Sequence, residues 1–63
     1  MNYHFKIYKE KTGYWAECLE LPGCKTQGDT IEELKLNAHE ALSLYLDEPD
    51  NSKIIIQFQF SSK

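Results

Sequence analysis

The sequence has little cysteine, with only Cys18 and Cys24 among its 63 residues. Two cysteines are too few for a disulfide scaffold and too few for a cysteine-based zinc site. The first residues, MNYHFKIYKEK, contain no apolar stretch of the kind that a secretory signal needs. No segment approaches the length of a transmembrane helix. Because free thiols persist in reducing compartments, we expect a cytoplasmic protein without a membrane partner.

The sequence also has little positive charge, because it contains seven lysines and ten acidic residues and has a net charge of −3. A phosphate backbone repels such a protein, so we expect no direct binding of nucleic acid. The same acidic balance suits a basic protein partner, because complementary charge accelerates association and favours the correct pairing.

The chain is short, and a domain of this length buries only about 60% of the surface that its unfolded form exposes. A core of this size supplies roughly 3 to 5 kcal/mol, so self-association or a protein partner is a physical expectation. The composition still indicates a folded protein, because 41% of the residues are hydrophobic and eight are aromatic. Without an internal repeat or a low-complexity segment, residues 1–63 are predicted to form a single domain.

Alternation of apolar and polar residues predicts four strands. They cover residues 2–9, 14–19, 24–27 and 53–60. A short polar turn that ends at Gly13 joins the first two strands, which predicts a β-hairpin. Pro22 and Gly23 separate the second strand from the third, because proline fixes φ and glycine accepts the positive φ of many tight turns.

A helix is predicted after the third strand. Thr30 and Glu33 have the spacing of a capping box, in which the threonine oxygen accepts from an early helical N–H and the glutamate reaches back to the N–H of the cap residue. From Ile31 to about Asp47, apolar residues recur at spacings of three and four, which indicates a helix with one face on a core. Pro49 stops it, because the residue before a proline avoids helical geometry.

The predicted order is therefore strand, strand, strand, helix, strand. If the helix crosses over to lay the fourth strand beside the first, the right-handed crossover rule makes these two strands parallel and gives the sheet order 3-2-1-4. We expect an α+β fold with one helix packed on one face of a mixed sheet. The opposite face would show Tyr8, Trp15, Leu19 and Ile55, which is an unusually apolar set for a solvated surface.

Several short motifs resemble the N-terminal domain of HicB-like antitoxins. They are Gly13-Tyr14-Trp15-Ala16-Glu17, Leu21-Pro22-Gly23-Cys24, Thr26-Gln27-Gly28-Asp29-Thr30, Glu33, Asn37-Ala38, Glu40-Ala41-Leu42 and Tyr45-Leu46. The resemblance runs from about Tyr3 to Leu46. It implies a partial RNase H-like fold and the neutralisation of a small, basic, mRNA-cleaving toxin of the HicA type. Regulatory members of that family carry a C-terminal DNA-binding domain, which we do not expect here because the sequence up to Lys63 has no counterpart of it.

Two other kinds of site are disfavoured by the residues. A nucleophilic Cys24 would need a base beside it, and the predicted elements place neither His4 nor His39 there. A phosphate-binding loop at residues 28–30 would hold the carboxylate of Asp29 where the anion must sit. We therefore expect Cys24 to pack as a small hydrophobic residue and the glycine-containing loop to shape the fold.

An RNase H-like nuclease would need carboxylates from the first strand, the helix and the last strand to hold its metal ions. Neither strand contains an acidic residue, so Glu33 and Glu40 on the helix lack partners for such a site. We expect a protein that is not an enzyme and that uses no metal or cofactor. The alternatives are a degenerate RNase H-like hydrolase and an orphan domain that oligomerises without a toxin.

Two surfaces are candidate sites for protein partners. On the helix, Leu36 and Leu44 point away from the core and flank Glu33 and Glu40, so we predict that these four residues bind the basic toxin, although single exposed leucines are also normal on surfaces. The last strand is apolar enough to invite aggregation at a sheet edge unless another chain pairs with it. We predict that it contributes to a homodimer or a higher oligomer. The predicted contact consists of Tyr8, Trp15, Ile54, Ile56 and Phe58.

Overall fold

The computed structural model describes residues 2–61, which form four strands, one α-helix and one 3₁₀ turn. The elements are β1 (Asn2–Lys9), β2 (Tyr14–Cys18), β3 (Lys25–Gly28), α1 (Ile31–Leu46), the 3₁₀ turn (Asn51–Lys53) and β4 (Ile55–Phe60). The strands make one mixed sheet in the order β3-β2-β1-β4, in which β1 is antiparallel to β2 and parallel to β4. The predicted α+β fold, its β-β-β-α-β order, its sheet order and its parallel pair are confirmed.

The last strand begins two residues later than predicted, because Asp50 organises the 3₁₀ turn before it. The backbone N–H and the hydroxyl of Ser52 both donate to Asp50 Oδ1, at 3.0 and 2.6 Å, and the N–H of Lys53 donates to the Asp50 carbonyl at 3.2 Å. Pairing with β1 therefore starts at Ile55, which lies opposite Asn2.

The turn between β1 and β2 depends on glycine for two reasons. Gly13 has a φ of 95°, a backbone conformation that residues with a Cβ rarely adopt. A Cβ at this position would also lie 2.7 Å from the carbonyl oxygen of Gly28. The hairpin turn is thus packed directly against the end of β3, and Gly28 in turn brings β3 close to α1, since a Cβ there would lie 2.6 Å from the amide nitrogen of Leu34.

The helix is capped at both ends. Thr30 Oγ1 accepts a hydrogen bond from the Glu33 N–H at 3.1 Å, while Glu33 Oε1 accepts from the Asp29 N–H at 2.9 Å. The threonine half of the capping box is confirmed, and the glutamate half is shifted by one residue toward the N-terminus. At the other end Asp47 adopts the left-handed conformation, and the Glu48 N–H donates to the Ser43 carbonyl at 2.9 Å, so the chain folds back before Pro49.

The core lies between α1 and the sheet. Its buried side chains are Tyr3, Phe5, Ile7, Ala16, Cys18, Cys24, Leu34, Ala38, Leu42 and Ile54. The helix packs mainly over β3 and β2, where Asn37 Nδ2 donates to the Gln27 carbonyl at 2.8 Å. The side of the sheet that carries β4 is consequently less covered, and Phe60 at the end of that strand remains 63% exposed. Across residues 2–61, no helix has both the length and the apolar character needed to span a lipid bilayer.

Candidate protein-binding surfaces

A groove of apolar and acidic character runs along the outer side of α1 and the turn that follows it. It is lined by Leu36, His39, Glu40, Ser43, Leu44, Asp47, Glu48 and Pro49, and we call it the acidic groove. Leu36 and Leu44 are 68% and 77% exposed, so two large apolar side chains stand in water. Three of the lining residues are carboxylates, and no lysine is among the described residues that form the groove. This combination suits a partner that offers both apolar and basic side chains.

The structure brings together three of the four residues that were predicted to bind a toxin. Leu36, Glu40 and Leu44 line the acidic groove, whereas Glu33 lies at the start of α1 and holds the Asp29 N–H. Glu33 instead borders a second, open concavity beside β3, together with Trp15 and Lys25. The role of Glu33 in the fold is therefore to cap the helix.

Sequence reasoning missed Asp47 and Glu48 as members of the acidic groove. They follow the last turn of α1, where the pattern indicated only the end of the helix. The left-handed conformation of Asp47 turns the chain back, so that the N–H of Asp47 reaches the Leu44 carbonyl at 3.3 Å. Both carboxylates thereby join Glu40 in one surface. An asparagine or glycine at position 47 would have been a clearer signal of this turn.

The face of the sheet that is opposite α1 carries an aromatic pair. Tyr8 and Trp15 lie opposite each other in β1 and β2, and their rings stack with centroids 4.3 Å apart and planes 13° apart. The Tyr8 hydroxyl donates to Glu17 Oε2 at 2.8 Å, and this hydrogen bond raises the pKa of Tyr8. Lys25 Nζ lies 5.7 Å from the centroid of the Trp15 ring. Both residues are half-buried.

The five residues of the predicted dimer contact do not lie on one surface. Tyr8 and Trp15 are on the outer face, whereas Ile56 and Phe58 lie opposite Tyr3 and Phe5 in the parallel pair and so share the helix side of the sheet. Ile54 is only 4% exposed and belongs to the core. A buried side chain offers nothing to a second chain, so Ile54 is removed from the candidate contact. Self-association itself stays a prediction.

The two cysteines are neighbours in the core. The Cys18 N–H donates to the Cys24 carbonyl at 2.9 Å, and each residue is 4% exposed. Burial raises the pKa of both thiols. A buried thiol with a raised pKa is a poor nucleophile. Among the residues that the structure describes, no three His, Cys, Asp or Glu side chains cluster closely enough to hold a metal ion.

A contact between His4 and Glu20 that the sequence did not indicate joins β1 to the turn after β2. Glu20 accepts from the backbone N–H of His4 at 2.9 Å and lies 2.6 Å from His4 Nδ1 through its other oxygen. The hydrogen bond from the His4 backbone is the main reason why the pKa of Glu20 is lowered to about 2. Both side chains are exposed, so solvent screens the interaction between them.

Comparison with known proteins connects this chain to a family of small proteins. Two UPF0150 proteins of Synechocystis are 46% identical over 39 residues and 44% identical over 48 residues, covering 62% and 71% of this chain. A UPF0150 protein of Thermoplasma acidophilum is 39% identical over 57 residues, which cover 86% of this chain and 83% of that protein. The chain belongs to the UPF0150 family. It spans only 54% and 61% of the two Synechocystis proteins.

No protein-family model and no solved structure matches the chain. The names of these UPF0150 relatives state no activity, substrate or partner. Evidence for the function of this UPF0150 domain therefore comes from its own surfaces. The acidic groove combines exposed leucines with carboxylates, and the edge strand β4 has no charged residue.

Proposed function

We propose that this UPF0150 domain is an antitoxin-like binding module. It neutralises a small, basic, mRNA-cleaving toxin of the HicA type by forming a stoichiometric complex, as the resemblance to HicB-like antitoxins implies. The acidic groove carries this proposal, because it presents two exposed leucines beside three carboxylates. An enzyme that cleaves mRNA offers positive charge to the phosphate backbone, so an acidic groove competes with RNA for the same surface.

The two kinds of side chain in the groove contribute differently to binding. Burial of one exposed leucine contributes roughly 1.5 to 3 kcal/mol, whereas an exposed ion pair contributes about 0.2 to 1 kcal/mol. Leu36 and Leu44 are therefore the main source of affinity. The carboxylates of Glu40, Asp47 and Glu48 speed the encounter and select a basic partner.

The fold supports this proposal without carrying it. The β-β-β-α-β order and the sheet order β3-β2-β1-β4 fit the partial RNase H-like fold that the resemblance implies. Neither β1 nor β4 contains an aspartate or a glutamate, which favours binding over metal-dependent hydrolysis. Because the proposed partner acts on mRNA, we place this function in the cytoplasm, with no cofactor.

Coexpression with a HicA-type toxin, taken from the neighbouring gene where that gene encodes a small basic protein, tests the proposal. We expect the two proteins to co-purify in a fixed ratio, and we expect the complex to have lost the RNA cleavage that the basic protein shows alone. Cleavage that persists in an excess of this chain would contradict the proposal and favour an oligomerising domain without a toxin. RNA cleavage by this chain alone would favour the hydrolase.

A further inference from the structure

The two edges of the sheet are protected to different degrees. At the β3 edge, α1 packs closely and Asn37 occupies the carbonyl of Gln27. At the other edge, no strand pairs with the outer side of β4 within residues 2–61. Soluble proteins usually prevent other strands from pairing with such an edge by means of charged side chains, proline or a helix or loop that covers it. The strand Ile55–Phe60 contains neither a charged residue nor a proline.

The backbone of β4 presents its free hydrogen-bonding groups at alternate residues. The Ser61 N–H donates to the Ile7 carbonyl at 2.7 Å, and Ile7 lies opposite Phe60. In a parallel pair the residues that bond to the neighbouring strand alternate along the chain, so Gln57, Gln59 and Ser61 direct their backbone groups toward β1. The backbone N–H and C=O groups of Ile56, Phe58 and Phe60 therefore point away from the sheet.

We propose that a second copy of this chain pairs with β4 in antiparallel orientation, with the two-fold axis at Phe58. In this register Phe58 lies opposite the partner's Phe58, and Ile56 lies opposite the partner's Phe60. A two-fold axis perpendicular to the sheet keeps the helices of both copies on the same side, and all three outward-facing residues then form hydrogen-bonded pairs. An axis at Gln57 or Gln59 would set one of the three opposite a residue that lies outside the partner's strand Ile55–Phe60.

The side chains agree with this register on both faces of the joined sheet. On the helix side, the pairs combine aromatic and branched side chains, which stabilise neighbouring strands, and cover Phe60, which is 63% exposed in one copy. On the face of the joined sheet that is opposite the helices, the side chain of Gln57 lies beside that of the partner's Gln59, so that the two amides can exchange hydrogen bonds.

The charge distribution of the chain is compatible with a second copy at this edge. Each chain has a net charge of −3, so two copies repel each other except across an uncharged surface. The strand β4 has no charged side chain of its own, and Lys35 of α1, whose Nζ lies 5.5 Å from the centroid of the Phe58 ring, adds a positive charge on its helix side. Pairing through β4 leaves Leu36 and Leu44 of the acidic groove exposed, and it does not depend on the proposed function of that groove.

Sedimentation equilibrium of the purified chain tests whether the edge is used. We expect a dimer, and we expect Phe60→Lys to raise the dissociation constant by at least about tenfold, because it sets a charge opposite the partner's Ile56. The matched control is Leu44→Lys, which replaces another exposed apolar residue by lysine and should leave the dimer unchanged. Equal loss in both variants, or a monomer at every concentration of the unsubstituted chain, would overturn the proposal.

Disulfide cross-linking tests the register, and it remains informative if Phe60→Lys disturbs folding. Gln57 and the partner's Gln59 form a non-hydrogen-bonded pair, whose Cα atoms lie about 4.5 Å apart, within the range of a disulfide. A mixture of Gln57→Cys and Gln59→Cys chains should therefore cross-link in the presence of oxidised glutathione. Neither variant should cross-link when it is alone, and the unsubstituted chain should not cross-link either. Cross-linking of Gln57→Cys with itself would place the axis at Gln57, and no cross-link in any combination would also refute the pairing.

Discussion

Asn37 of α1 donates its side-chain amide to the backbone carbonyl of Gln27 in β3, at 2.8 Å. The bond uses one backbone carbonyl of the edge strand β3 and links the middle of the helix to it. Asn37→Ala should lower the free energy of unfolding by about 0.5 to 1.5 kcal/mol, the usual contribution of one hydrogen bond. Asn37→Asp should lower it further, because a carboxylate has no proton to donate and repels the carbonyl. Urea denaturation measures both, and variants that are as stable as the unsubstituted chain would show that the bond contributes little.

The packing of the hairpin turn can be separated from its backbone conformation. Gly13 and Gly23 have nearly the same φ, 95° and 92°, but only a Cβ at position 13 would meet the protein, 2.7 Å from the Gly28 carbonyl oxygen. Alanine at either site introduces similar backbone strain. Gly13→Ala should therefore be less stable than Gly23→Ala by about 1 to 3 kcal/mol, the usual effect of overpacking. Identical unfolding midpoints would mean that the turn moves away from β3 freely.

Acid should weaken the fold through Glu20. Because the pKa of this carboxyl is lowered from 4.5 to about 2 in the folded chain, its ionised form stabilises the native state above about pH 4.5, and that contribution is lost as the pH falls toward 2. Glu20→Gln should remove this part of the pH dependence of unfolding. The control Glu10→Gln removes a carboxylate from the exposed turn after β1 and should keep it. If the stability of Glu20→Gln still fell between pH 4.5 and pH 2 as steeply as that of the unsubstituted chain, Glu20 would not be the carboxyl responsible.

The buried thiols should be protected in the native state. Cys18 and Cys24 are each 4% exposed, and burial raises the pKa of both. Ellman's reagent should therefore react slowly with the folded chain and rapidly after unfolding in urea. Leu19→Cys, which places a thiol at a position that is 48% exposed, supplies the reactive reference. Fast reaction of the native chain at two thiols would show that the core opens locally.

The sequence predicted the fold well because its local signals agreed with one another. Alternation in β1 and β2, the capping residue Thr30 and the crossover rule together indicate one topology, and the structure has it. The surfaces were harder to predict, since faces are decided by register. Ile54 is an apolar residue next to an edge strand, yet it closes the core because pairing with β1 begins one residue later.

Contacts between distant segments left no local pattern to recognise. The partnership of His4 with Glu20 and the arrival of Asp47 and Glu48 beside Glu40 both depend on turns whose geometry is set by the folded chain. Glu33 shows the opposite case. Its capping role was predicted from its spacing to Thr30, whereas the fold separates it from Leu36, Glu40 and Leu44, with which it was predicted to bind a toxin. Capping at Glu33 uses the side chain that a partner would need.

The acidic groove should bind a basic toxin through two separable effects. Leu44→Ala removes an apolar side chain that is 77% exposed and should mainly accelerate dissociation, because large apolar side chains hold a complex together. Glu40→Lys should mainly slow association and make it less sensitive to salt, because charge acts on the encounter. Leu19→Ala is the control, since that exposed leucine lies outside the groove. Surface plasmon resonance at two salt concentrations separates the rates, and unchanged kinetics in both groove variants would remove the acidic groove as the toxin-binding site.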